Sequence, residues 1–258
     1  MKITKIEKKK RLYLLEIDET DRVYVTEDTI VHFMLSKNKK ISPQELENIK
    51  TFAQFSHGKN LALFHISFKS RSEHEVKRYL QEHEIEDDLI PDILNNLKEG
   101  KWIDDKSYVR TLLNQNLNSG NKGSHILKQK LLQKGIASQL IDCELNKIDF
   151  TYLAEKIAQK LYNKYQSNYP QKAIKDKITQ NLIAKGFSYD ESKIAVSSLK
   201  IAKNDSHEES LLDKELEKQY HKYNRKYEGY DLKQRLIQSL MRKGFQFDDI
   251  NSSLREYL

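Results

Sequence analysis

The chain has one cysteine, three prolines and eight glycines among its 258 residues. A lone thiol, Cys143, excludes an internal disulfide and any multi-cysteine zinc site. Its setting, Leu140-Ile141-Asp142-Cys143-Glu144-Leu145, suits a small, semi-buried residue of a helix. So few prolines and glycines leave few breaks, and helices are expected to dominate. No apolar run reaches the ~18 residues that a membrane span needs. Met1-Lys2-Ile3-Thr4-Lys5 has no apolar core of a signal peptide, so a cytoplasmic protein is expected. Motifs with a dedicated chemistry are missing too. There is no phosphate-binding Gly-x-x-x-x-Gly-Lys loop, no Gly-x-Gly-x-x-Gly turn and no His-Glu-x-x-His. No Gly-x-Ser-x-Gly elbow occurs. These absences point away from an enzyme and from any metal or cofactor.

Charge is plentiful. Charged residues make up 32% and apolar residues 38% of the chain. That balance suits a thin, elongated arrangement in which most helices keep one wet face. The formal net charge is +7. An excess of this size fits nucleic acid or an acidic protein surface as partner, though many soluble proteins carry as much with neither.

Residues 1–66 read as an extension apart from the rest. Leu12-Tyr13-Leu14-Leu15-Glu16-Ile17 and Arg22-Val23-Tyr24-Val25 flank a polar turn and form a β-hairpin, with Ile3 to Ile6 as a candidate third strand. Helices follow. Thr26 is an N-cap candidate, and Ser42-Pro43-Gln44-Glu45 starts a helix running to about His65, with Gly58 as a possible break. From Arg71 a pattern recurs at intervals of about 50 residues, long enough for three helices. Helix-spaced apolar residues end in Lys134-Gly135-Ile136, Lys185-Gly186-Phe187 and Lys243-Gly244-Phe245. The corresponding first segment ends at His83-Glu84-Ile85. Glycine takes the left-handed conformation that ends a helix, lysine complements the helix dipole, and the next apolar residue folds back on the last turn. A second helix follows each signature, with Leu89, Ile93, Leu94 and Leu97, then Leu140, Ile141 and Leu145, then Ile194 and Leu199, then Ile250 and Leu254 as its apolar residues. Ser188-Tyr189-Asp190-Glu191 is a capping box for one of them. A third helix closes each unit, that of the third repeat running from about Ser206 to Lys226. The expected organisation is three-helix repeats at 67–120, 121–168 and 169–228, with a partial repeat at 229–258. The expected fold is mainly α, an array of tandem helix-turn-helix-like repeats whose neighbours share a core.

The Asp pairs Asp87-Asp88, Asp104-Asp105 and Asp248-Asp249 could hold two metals, but they stand at helix starts, where carboxylates cap free N–H groups. His74 and His83 lack a third ligand at suitable spacing. Trp102 beside Gly100 is expected to plug the core of the first repeat, with base stacking as the rarer role. The candidate binding residues are Lys77, Arg78, Arg110, Lys122, Lys128, Lys130, Lys134, Lys185, Arg235, Arg242 and Lys243. If repeats stack in register, Lys134, Lys185 and Lys243 form a line that could follow a phosphate backbone. Helix-dipole complementation explains each lysine singly. No helix gathers the Arg, Asn and Gln of a base-reading surface, so sequence-specific reading is not expected.

These motifs resemble the RecX family over roughly residues 66–258. Its first repeat has Arg-Ser, Glu-aliphatic and a later aliphatic-Asp-Asp with an aromatic residue. Here these are Arg71-Ser72, Glu75-Val76 and Ile103-Asp104-Asp105 with Tyr108. Its second repeat has Gly-Pro, then Leu-x-x-Lys-Gly-Ile; here Gly123-Ser124 precedes Leu132-Gln133-Lys134-Gly135-Ile136. The absent proline bears only on local turn geometry. The Lys-Gly-Phe of later repeats is present twice. The resemblance implies a non-enzymatic regulator that binds RecA–single-stranded DNA filaments, limits their growth, and so restrains recombination and the SOS response; a monomer is expected. The alternative is a helical-repeat protein that binds single- and double-stranded DNA non-specifically without RecA. A protein-interaction scaffold with no nucleic-acid contact is the third reading.

Overall fold

The computed structural model describes residues 1–201 and 205–257. Residues 202–204 and 258, which the repeat boundaries above enclose, lie outside the described residues. The described chain holds thirteen α-helices and three β-strands. It divides into two units, Met1–Leu112 with Lys130–Asp142, and Leu113–Gln129 with Cys143–Leu258.

The first unit opens with an antiparallel sheet in the order β1-β2-β3, from β1 (Ile3–Lys9), β2 (Leu12–Ile17) and β3 (Asp21–Val25). Ile3 to Ile6 therefore does form a third strand, with Ile6 opposite Leu15 and Leu15 opposite Val23. Asp18 and Glu19 both take positive φ, and Thr20 N–H donates to the Ile17 carbonyl at 3.1 Å. That is the primed turn whose twist matches a tight hairpin. One sheet face buries Ile3, Leu15, Ile17 and Val25 against Leu35, Leu46, Ile49 and Ala53. The last three belong to α2 (Pro43–Phe68), which follows the short α1 (Glu27–His32). Thr26 caps α1 and Ser42 caps α2, each accepting the N–H three residues on. Gly58 does not interrupt α2. A Cβ there would come within 2.6 Å of Ile93, so this glycine lets the next helices approach. They are α3 (Glu73–Glu82) and α4 (Ile90–Glu99). The far half of α2 packs on both, around Ala62, Val76, Leu80, Ile93 and Leu97. The chain continues through α5 (Asp105–Ser119), α6 (Ser124–Gln133) and α7 (Ser138–Leu145).

In the second unit, α8 (Thr151–Tyr165), α9 (Gln171–Ala184) and α10 (Tyr189–Ser197) pack mutually. So do α11 (Asp205–Tyr223), α12 (Gly229–Arg242) and α13 (Phe247–Tyr257), around Leu212, Leu216, Leu236, Leu240, Ile250 and Leu254. Each of these trios begins with its long helix. The Lys-Gly signatures put that helix last, because they mark where chain segments look alike and not which helices share a buried face. In this phase α11 to α13 make a full trio. Ile194, expected inside, is 52% exposed; the small residues Ser192 and Ala195 form the buried face of α10.

Candidate partner interface

The Lys-Gly signatures form joints between chain segments. Gly135, Gly186 and Gly244 have φ of 75°, 88° and 95°. The N–H groups of Gly186 and Phe187 donate to the carbonyls of Ile183 and Leu182, the paired bonds of a Schellman end. Ile136, Phe187 and Phe245 are buried after the turn. The first segment makes the same turn with Glu84 at φ 59°. Conformation is therefore only half of what the glycines supply. A Cβ at Gly135 would meet His74 at 2.3 Å, one at Gly186 the Ile126 nitrogen at 2.7 Å, and one at Gly244 Ala173 at 2.8 Å. Each turn sits on the first helix of the preceding segment. The lysine carbonyl left free at the helix end is used there as well. Ser72 Oγ donates to the Lys134 carbonyl at 2.6 Å, and Gly123 N–H to the Lys185 carbonyl at 2.9 Å.

The same joints engage two of the three lysines. Lys134 pairs with Glu75, which is buried beneath it and also accepts from the Ser72 N–H. Burial pushes the Glu75 carboxyl up, but the Lys134 ammonium, the Ser72 N–H and the charge of Arg71 outweigh it and hold the group below the usual carboxylate range. Lys243 pairs with Glu215 at 2.8 Å. Burial likewise raises Glu215, and Lys243, Gln219 and Lys218 bring it lower. Lys185 is half-buried, with its backbone held at the joint.

The other candidates are divided between the units. Lys77, Arg78, Arg110 and Lys130 are exposed in the first unit, where Arg78 pairs with Glu82 along α3 at 3.4 Å. In the second unit Lys122 is exposed, with its backbone clasped by the Asn116 amide, and Lys128 is half-buried. The Arg235 guanidinium lies 5.0 Å over the Tyr227 ring. Arg242 and Lys243 share a groove of about 660 Å³ with Lys172, Lys177, Lys214 and Lys218. Those four stand at ordinary positions of α9 and α11. No motif marks them; the packing of α12 on α11 and of Gly244 on Ala173 of α9 brings them together.

Of the three Asp pairs, Asp104-Asp105 acts on backbone, while Asp87 accepts from the Gln81 side chain. Asp104 accepts the N–H groups of Lys106 and Ser107, and Asp105 that of Glu73 on α3. Burial raises the Asp105 carboxyl above its ordinary value. Among the described residues, no three His, Cys, Asp or Glu side chains gather as a metal site. Trp102 does not plug a core. It is 59% exposed, and its indole lies where a side chain on Gly100 would be. Ile103 takes the buried place instead, after a left-handed Lys101 turns the chain. Cys143 is exposed, not semi-buried. No helix among the described residues is long and apolar enough to cross a membrane.

Comparison with known proteins follows the same lines. A family model described as "RecX, third three-helix domain" matches residues 152–196 and 207–254, and one described as "RecX, first three-helix domain" matches residues 59–97. The former two stretches coincide with the trios α8–α10 and α11–α13. The chain is 62% identical to a protein named "Regulatory protein RecX" of Streptococcus mutans serotype c over 258 residues, all of both chains. It is 57% identical to the protein of that name from Streptococcus agalactiae serotype Ia, again over both whole chains. Among solved structures, a "Crystal structure of regulatory protein RecX" matches with TM-score 0.62 and 29% identity, over 76% of this chain and 99% of that one. "Crystal structure of RecX from Lactobacillus salivarius" matches with TM-score 0.54 and 30% identity, over 57% of this chain and 96% of that one.

Proposed function

The chain belongs to the RecX family, and from that premise we propose that it regulates RecA by binding RecA–single-stranded DNA filaments, mainly restraining them, without catalysis. The observation that carries this reading is the full-length identity to proteins named as regulators. Two features support it. Lys77, Lys122, Lys130 and Arg235 are exposed cations on helices or helix joints, suited to an acidic or phosphate-bearing surface. The paired aspartates Asp104 and Asp105, one of the three Asp pairs weighed as metal ligands, bind backbone N–H groups instead.

A second reading rests on the same cations and the net charge of +7: the chain coats single- or double-stranded DNA without RecA. Binding to dye-labelled single strands, bare and RecA-coated, separates the two. The filament reading expects the coated strand to bind at least about tenfold tighter at equal salt. Equal affinities with a steep loss on adding salt would favour bare DNA.

A further inference from the structure

We propose that the groove of the second unit between α9, α11 and α12 is a docking site for an acidic peptide segment with interspersed aliphatic side chains, supplied by a protein partner. This goes beyond the filament reading and holds whether or not nucleic acid is another contact of the chain.

The first argument is charge. Six cations, Lys172, Lys177, Lys214, Lys218, Arg242 and Lys243, line the cavity against two carboxylates, Asp176 and Glu215. Of the six, only Lys243 lies within 4.0 Å of a carboxylate among the described residues, at 2.8 Å from Glu215. Lys172, Lys214 and Lys218 are exposed and extend from neighbouring helices toward one space. Such convergence costs self-repulsion that an acidic ligand would relieve. The packing keeps these charges in place. Gly244 leaves no room for a side chain against Ala173, so the end of α12, with Arg242 and Lys243, is seated on the start of α9.

The second argument separates peptide from nucleic acid. A groove for single strands offers ring faces on which bases stack. The one tyrosine lining this cavity, Tyr169, already carries the Lys177 ammonium 4.4 Å from its ring centre, and Tyr165 meets it edge-on. Phe245, the other ring in the lining, is buried, and what the walls offer instead is aliphatic: Ala173, Leu211 and the half-exposed Met241, whose flexible thioether adapts to varied side chains. Asp176 and Glu215 would oppose a continuous line of phosphates. Against a peptide, Asp176 can accept a backbone N–H group, while Glu215 is already held by Lys243. A groove of about 660 Å³ also has the size of a pocket for a few side chains.

The test uses the full chain and three probes: a dye-labelled peptide alternating glutamate and leucine, its glutamine–leucine counterpart, and a short oligothymidylate. The wild-type chain is expected to prefer the acidic peptide by at least about tenfold. The triple variant Lys172→Glu, Lys214→Glu, Lys218→Glu should lose that preference while its oligothymidylate affinity changes by less than about twofold. Glu215→Gln, which releases Lys243, should tighten the acidic peptide by about two- to threefold. No preference in the wild-type chain overturns the proposal. So does a triple variant that loses oligothymidylate binding as fully as peptide binding, which would make the groove a nucleic-acid site. If the triple variant loses its helical circular dichroism, Glu215→Gln decides alone: tighter binding supports the site, and unchanged or weaker binding overturns it.

Discussion

At Gly186 two demands meet in one residue: a left-handed backbone and a neighbour too close for a side chain. Gly186→Ala should therefore cost more than left-handed strain alone, about 2–4 kcal/mol in urea unfolding. Glu84 makes the same turn, but carries a side chain that is exposed. Glu84→Gly removes the strain and adds unfolded-state freedom, so it should be neutral to stabilising, within about 1 kcal/mol. A cost at Gly186 well above the strain that Glu84→Gly relieves distinguishes a joint from a plain helix end. Changes of equal size and opposite sign would show that conformation alone is at work. Glu75 offers a pH test. Its carboxyl is held below the ordinary range in the folded chain. Its stabilising contribution is thus complete above the ordinary carboxylate range and is lost as pH falls through the folded value. Glu75→Gln should cost about 1–3 kcal/mol at neutral pH, and its stability should fall less steeply on acidification than that of the wild type. Parallel acid titrations of the two would refute the Glu75–Lys134 coupling.

Helix by helix, what was legible in the sequence is what acts over a few residues. Thr26, Ser42 and Ser188 cap the helices that follow them, Ser188 in a full capping box. Ser188→Ala should accordingly cost about 1 kcal/mol, with faster hydrogen exchange confined to the first turn of α10. Loss spread evenly over the unit would mean that the cap serves packing more than the helix start. What was not legible depends on distant partners. Gly58 looks like a helix break until Ile93 is placed beside it. Ile194 looks buried by its spacing, yet the small Ser192 and Ala195 allow a closer approach on the adjacent face. The helix trios could not be phased from the signatures, since the similarity lies at joints and the burial lies between them. The groove cations escaped for the same reason: Lys172 and Lys214 are far apart in sequence and sit in no motif.

Over the whole molecule, cations divide by what surrounds them. Lys134 and Lys243 stabilise joints through Glu75 and Glu215, so reversing them confounds binding with folding. Lys77 and Arg78 are exposed, and the surface pair of Arg78 with Glu82 is worth little. Lys77→Glu with Arg78→Glu should weaken filament binding by about tenfold at low salt and leave thermal unfolding within a few degrees of the wild type. Unchanged binding by that variant would remove α3 from the interface. The central claim is that the chain acts on RecA filaments and not on bare DNA. Its most direct test is single-strand-dependent ATP hydrolysis by preformed RecA filaments, with this chain added well below one copy per RecA. The account predicts suppression at amounts too small to coat free DNA. Hydrolysis that falls only once the chain is abundant enough to cover the DNA would contradict it.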